Sequence, residues 1–181
     1  VTRQKVAEAF SRRLDNLRIA AMMIDGIAVT QKGAILALGI EEDGSKVPLG
    51  LTIGSTENAA LCTKLLQDLL GRGLRVEGRM LFVVDGGKGL RKSIEDVFGS
   101  AAVVQRCQNH KRRNILALTP EGSHAYVNSK LSEAWASSSP KTARALMKGL
   151  ANWLEREGNG DAAQSLREGL EETLTVVKLG L

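Results

Sequence analysis

The sequence predicts an α/β fold: a mixed sheet with flanking helices, followed by an all-helical region. Three observations carry this. Two nearly continuous apolar runs, Ile19 to Val29 and Met80 to Gly87, have the pattern of strands buried on both faces. Two shorter runs, Ala34 to Ile40 and Val47 to Ile53, are joined by EEDGSK, whose Asp43-Gly44 step is a hairpin signal. Beyond Pro120 no strand-like run appears and helical spacing takes over.

The elements follow in order. The first 17 residues read as a short helix with Val6, Phe10 and Leu14 on one face. After the first strand and the hairpin, Ser55 or Thr56 can cap a helix. Its apolar positions Leu61, Cys62, Leu65, Leu66, Leu69 and Leu70 recur at helical spacing until Gly71 and Gly73 stop it. The Met80 strand ends in a glycine turn, and the helix GLRKSIEDVFG then turns Leu90, Ile94, Val97 and Phe98 inward. Ala101 to Cys107 reads as a fifth strand, and QNHKRRNILAL as a basic helix start. Ser139-Pro140 is a cap and first-turn pair for a helix running towards Trp153. Gly158-Asn159-Gly160 breaks it, and Asp161 can cap the last helix. A strand–helix–strand crossover makes the first and fourth strands parallel neighbours with a right-handed connection. That order is what a ribonuclease H-like core requires, and periodicity alone also permits other α/β sheets. The expected divisions are 1–17 as an amino-terminal helix or linker, 18–119 as the core and 120–181 as the helical region.

Composition narrows the function classes. The chain has 181 residues, 43% of them hydrophobic, enough for one core or a core with a helical appendage. No run approaches the roughly 18 apolar residues of a spanning helix, and the start shows no secretion signal, so a soluble, intracellular protein is expected. Two cysteines, Cys62 and Cys107, are too few for a disulfide framework and favour a reducing cytoplasm. A net charge of +5 is compatible with nucleic acid but shared by many unrelated proteins. With aromatics at 3%, base stacking is not the expected mode of binding, and phosphate contacts would dominate.

Asp25 and Asp85 carry the most information. Each follows four apolar residues and precedes glycine, which sets each at or near the end of a strand that reads as buried. A carboxylate there is costly unless it is paired, hydrogen-bonded or bound to metal. On neighbouring strands the two would stand side by side, and a divalent cation would relieve their repulsion. Mg²⁺ favours oxygen ligands and keeps waters and substrate phosphates in its shell. Two such ions about 3.5–4 Å apart serve phosphodiester cleavage and strand transfer. The alternative is that Asp-Gly marks ordinary turns, as Asp43-Gly44 does among charged residues.

Arg106 to Asn114 carries four permanent positive charges in nine residues, at Arg106, Lys111, Arg112 and Arg113. With Lys88 of the glycine turn, these are the candidate DNA-binding residues, able to hold phosphates by charge and forked hydrogen bonds. A solvated helix face is the plainer reading of the run alone. Cys107 and His110 are zinc-compatible, but a structural zinc takes four ligands and Cys62 and His124 show no finger spacing. Packing and orientation near the acids is the expected role of Cys107 and His110. Asp85-Gly86-Gly87-Lys88-Gly89 lacks the spacing of a nucleotide-binding phosphate loop. Its glycines are expected to permit a sharp turn and leave room beside Asp85.

Together these residues resemble a known family. An EN pair leading to LLQDLLGRGLR, then LFVVDGGKGLRKSIEDVFGSAAVVQRCQNHKRRNIL, resembles the central signature of mutator-type bacterial insertion-sequence transposases. FSRRLDNLRIAAMMIDGIAV resembles the segment around their first aspartate. The resemblance is dense from Phe10 to Leu116 and looser beyond. It implies a DDE-type transposase of ribonuclease H-like fold, with Mg²⁺ or Mn²⁺ as cofactor. Asp25 and Asp85 would be its first two catalytic, metal-binding acids. Cys107 and His110 match the C-x-x-H pair after the second acid, and a helical insertion would account for residues 120–181. The implied partners are transposon-end and target DNA and further copies in a transposition complex, in a bacterial, nucleoid-associated setting.

Two departures stand out. The family's final Glu lies in a T-N-x-x-E motif after the insertion, and that motif is not in this sequence; Glu155, Glu168, Glu171 and Glu172 stand too early and in the wrong context. The usual amino-terminal DNA-binding region is also missing. The expectation is therefore a fragment, a truncated open reading frame or a decayed element, whose third acid lies outside this chain and which is inactive alone. A non-catalytic product that binds DNA or full-length transposase is the alternative. A different ribonuclease H-like nuclease or resolvase is a third reading.

Overall fold

Strand β1 (Ile19–Val29) is extended because its apolar side chains can be sheltered on both faces of a sheet, most fully on one. Met22 and Ile24 are closed to solvent, while Ala21 and Met23 are half-buried. The computed structural model describes Glu8 and residues 10–29 and 32–181. Val6 of the expected amino-terminal helix lies outside them; Leu14 is buried in the core and its amide donates to the Arg72 carbonyl at 2.8 Å.

β1 runs antiparallel to β2 (Lys32–Glu41), which runs antiparallel to β3 (Lys46–Ile53). The hairpin turns where expected. Gly44 takes φ +85°, a conformation that favours glycine, and the Asp43 carboxylate accepts from the Ser45 amide at 2.8 Å. On its other side β1 pairs in parallel with β4 (Met80–Val84), as the crossover predicts. With β5 (Ala102–Arg106) the five-stranded mixed sheet has the order β3-β2-β1-β4-β5.

Helices α1 (Ala59–Gly71) and α2 (Lys88–Phe98) supply the rest of the first core. Cys62, Leu65, Leu66 and Leu69 of α1, and Leu90 and Ile94 of α2, join Met22, Ile24, Phe82 and Val84 in one apolar cluster. Each Leu, Ile, Met, Val or Phe side chain among them stabilises the fold by roughly 1.5–3 kcal/mol on burial. The cap of α1 differs from expectation. Asn58, not Ser55 or Thr56, accepts from the Leu61 amide. Thr56 is directed elsewhere.

The chain divides into two compact units, Val1–Val104 and Gln105–Leu181. In the second, α3 (Gln108–Leu116), α4 (His124–Trp135), α5 (Pro140–Arg156) and α6 (Gly160–Arg167) precede two short helices, α7 (Leu170–Thr173) and α8 (Thr175–Leu179). Ser139 caps α5 as its sequence predicts, accepting from the Thr142 amide. Asp161 falls in the first turn of α6, while Asn159 holds the cap position. Ala143, Met147, Leu150, Ala151 and Leu154 form the buried stripe of α5, packed with Val127, Leu131, Ala163 and Leu166 in a separate core. Among the described residues no helix is long and apolar enough to cross a membrane.

Candidate metal centre and basic segment

The parallel register places the two aspartates. Ala21 to Ile24 pair in order with Leu81 to Val84. Asp25 and Asp85 each come one residue after the last pair, so they stand at the same level along the two neighbouring chain segments. β4 ends there. β1 does not: hydrogen-bonded to β2, it continues through Asp25 opposite Leu36 and Gly26 opposite Ile35. The Asp25-Gly26 step is therefore strand rather than turn, and Asp25 lies inside β1 instead of at its end. Beyond Asp85 the chain does turn, and Gly86 adopts φ +106°. Both aspartates are half-buried.

Asp85 is held at both oxygens. Thr56 Oγ1 donates to Oδ2 at 3.1 Å, and the Gly87 amide donates to Oδ1 at 2.8 Å. A Cβ on Gly87 would fall 3.0 Å from Thr56 Oγ1, 3.2 Å from Asp85 Oδ1 and 3.3 Å from Glu57 Oε1. Glu57 thus flanks the same point as Asp85. Gly89 serves packing: a Cβ there would fall 2.9 Å from the Thr56 carbonyl oxygen and closer still to the Glu57 carbonyl group. Ser93 of α2 binds across the same junction, donating to the Ala59 carbonyl at 2.8 Å. Thr56 and Glu57 were missed from sequence. The sequence offered Thr56 only as a helix cap and Glu57 only within the EN pair, and nothing in their spacing says that the segment folds against the Asp85 turn.

The electrostatics register in Cys62. Burial, then the negative charges of Asp85 and Glu57, push its thiol up to about 11. The donor set of Asp25 and Asp85 is oxygen-only, which fits a hard divalent ion. Among the described residues no three His, Cys, Asp or Glu side chains gather as a metal cage. Cys62 and Cys107 are both free thiols.

The basic segment belongs to the second unit, and its members differ. Arg113 is exposed. Arg112 donates to Ser132 Oγ at 3.1 Å and lies 5.2 Å from the ring centroid of Trp135, a cation–π arrangement. Arg106 donates to the Glu168 carbonyl at 3.2 Å and packs against Gly169, whose φ of +68° and missing side chain admit the guanidinium. Lys111 is 1% exposed and its Nζ has no hydrogen-bond partner among the described residues. Burial, then the charge of Arg106, lowers its ammonium to about 8. Cys107 occupies the cap position of α3 and is half-buried, as is His110. Lys88 is exposed at the start of α2, in the first unit. Gln105, which sequence reasoning passed over, is 3% exposed; it donates to the Thr173 carbonyl at 2.9 Å and accepts from the Val176 amide at 3.0 Å.

Comparison with known proteins bears on this arrangement. A transposase for insertion sequence element IS6120 of Mycolicibacterium smegmatis is 32% identical over 139 residues, covering 73% of the chain and 42% of that relative. A probable transposase for an insertion sequence element of Corynebacterium diphtheriae is 32% identical over 134 residues, covering 74% of the chain and 38% of the relative. The transposase for IS256 in transposon Tn4001 of Staphylococcus aureus is 36% identical over 93 residues, covering 51% of the chain and 23% of the relative. The chain spans less than half the length of each of these relatives. Residues 2–180 match the family model described as Transposase, Mutator family. By that match the chain belongs to the Mutator family of transposases.

Proposed function

We propose that this chain carries part of a DDE-type catalytic centre for DNA transposition, built on a ribonuclease H-like sheet. Asp25 and Asp85 hold Mg²⁺ or Mn²⁺ there, and the helical region after the sheet is the insertion typical of such enzymes. The observation that carries the reading is the parallel register: Ile24 pairs with Val84, so the next residue on each strand is a half-buried aspartate. When bound, the divalent ions supply charge stabilisation and an activated hydroxyl for phosphodiester cleavage and joining. The two aspartates hold that charge in place. Thr56 and the Gly87 amide fix the Asp85 carboxylate, and half-burial limits competing water.

The substrate in this reading is DNA at insertion-sequence ends and at the target. Arg113 and Lys88, both exposed, are the readiest phosphate contacts. Arg106, Arg112 and the buried Lys111 lie behind Arg113 in the same segment, the two arginines engaged by the Glu168 carbonyl and by Ser132, and add positive charge rather than direct contacts, with Cys107 and His110 beside them. Assembly of several copies on the DNA belongs to the same proposal. A second reading, a non-catalytic chain that binds DNA or a longer transposase, draws on the basic segment, where Arg113 is exposed.

The test is cleavage and joining of DNA bearing the element's ends, with Mg²⁺ or Mn²⁺. The chain would be assayed both alone and with a segment carrying a third carboxylate joined after Leu181. Asp25→Asn and Asp85→Asn should each lower the rate by about 10³-fold or more, a loss of roughly 4 kcal/mol of transition-state stabilisation. Undiminished activity in either variant overturns the assignment. DNA binding without cleavage in both forms favours the second reading.

A further inference from the structure

We propose that Thr56 is the positioning residue for the Asp85 carboxylate, an inference that rests on Asp85 being a metal ligand. Thr56 is 7% exposed, and its hydroxyl donates to Asp85 Oδ2 at 3.1 Å. The Gly87 amide holds Oδ1 at 2.8 Å. Each oxygen therefore has one hydrogen bond and keeps lone-pair capacity for a cation. Rotation of the carboxylate breaks both bonds, so its plane is set before a metal arrives.

Thr56 is itself fixed. The Cys62 thiol donates to its carbonyl at 3.5 Å, and Gly89 lets α2 approach the same carbonyl without a Cβ between. Because Asn58 caps α1, the Thr56 hydroxyl remains directed at Asp85. Its methyl group lies 3.7 Å from where a Cβ on Gly26 would stand. Gly26 follows Asp25, so one threonine reaches both Asp-Gly steps. Valine would keep that shape and lose the hydroxyl; serine would keep the hydroxyl and lose the methyl.

The experiment is Mn²⁺ binding by the 181-residue chain, read from the electron paramagnetic resonance signal of free Mn²⁺, with a thermal melt for every variant. Thr56→Val should weaken binding about 10-fold, the lower end for loss of a group that orients a metal ligand. Thr56→Ser should bind as the unaltered chain does, and Asp85→Asn should lose binding. If Thr56→Val binds Mn²⁺ normally while Asp85→Asn does not, Thr56 has no positioning role and Asp85 remains a ligand. If Thr56→Ser loses as much affinity as Thr56→Val, packing rather than the hydroxyl is responsible and the proposal fails. If Asp85→Asn binds as tightly as the unaltered chain, the metal reading beneath the proposal fails as well. Should Thr56→Val not fold, Thr56→Ala stands in the same comparison.

Discussion

At the scale of single residues, the segment from Arg106 to Arg113 shows how alike its members are in sequence and how unlike in place. Arg113 is exposed, whereas Arg112 is engaged by Ser132 and Trp135. Arg113→Ala should therefore weaken DNA binding and lower the slope of log affinity against log salt by about 1, without moving the melting temperature. Arg112→Ala should do the reverse and destabilise the second unit. A salt titration of DNA affinity beside a thermal melt separates the two.

Lys111 makes a pH prediction. Its folded-state value near 8 lies below the roughly 10.4 of a free lysine, so the unfolded chain holds a proton that the folded chain releases between those values. Stability should rise with pH across that window, and the penalty should be fully present below it. Lys111→Met should remove that rise and raise the denaturation midpoint near pH 7, since a buried charge with no hydrogen-bond partner among the described residues gives way to an apolar chain of similar length. Denaturant unfolding at about pH 7 and about pH 9.5 checks both statements. Sequence could name these four cations but not sort them. Sorting requires knowing that Trp135 and Glu168 pack nearby, and no local spacing gives that.

At the scale of elements, the strands were readable because burial dictates composition: Ile19–Val29 is the same span in sequence and structure. The parallel pairing of β1 with β4 followed from the crossover rule. The turn after Asp85 was readable, but its partner segment was not. Thr56 looked like a helix cap, since a hydroxyl before an apolar helix usually is one. The tertiary contact with Asp85 prevailed because Asn58 supplies the cap instead. The junction of α2 with residues 56–57 is also tight. Gly89→Ala should destabilise the chain by about 1–3 kcal/mol, because the added methyl meets backbone that cannot swing aside. It should also weaken Mn²⁺ binding through the displaced Thr56. Normal stability in Gly89→Ala would show that α2 packs more loosely than this geometry requires.

For the whole molecule, each unit has its own core, one from Leu14 to Ile94 and one from Ile115 to Val177. A cavity in one core should leave chemistry housed in the other largely untouched. Leu131→Ala, at a fully buried position of the second core, should cost about 2–5 kcal/mol in stability while Mn²⁺ affinity at the aspartates stays as it was. Paired unfolding and metal titrations test this, and a large loss of Mn²⁺ affinity would mean the two units fold as one. The net charge of +5 acts at this scale too, adding a salt-sensitive attraction to any polyanion that neither core controls.

The sulfur of Cys62 turns the acid centre into something that can be read from inside the protein. Its high proton affinity comes first from burial and then from the carboxylates of Asp85 and Glu57. Any event that cancels those charges should make the thiol a slightly stronger acid, while the burial contribution stays. Cys62 is thus an internal voltmeter for the site: its ultraviolet thiolate titration should slide to lower pH when divalent ions are added, and in Asp85→Asn it should start lower, with the Glu57 contribution still in place.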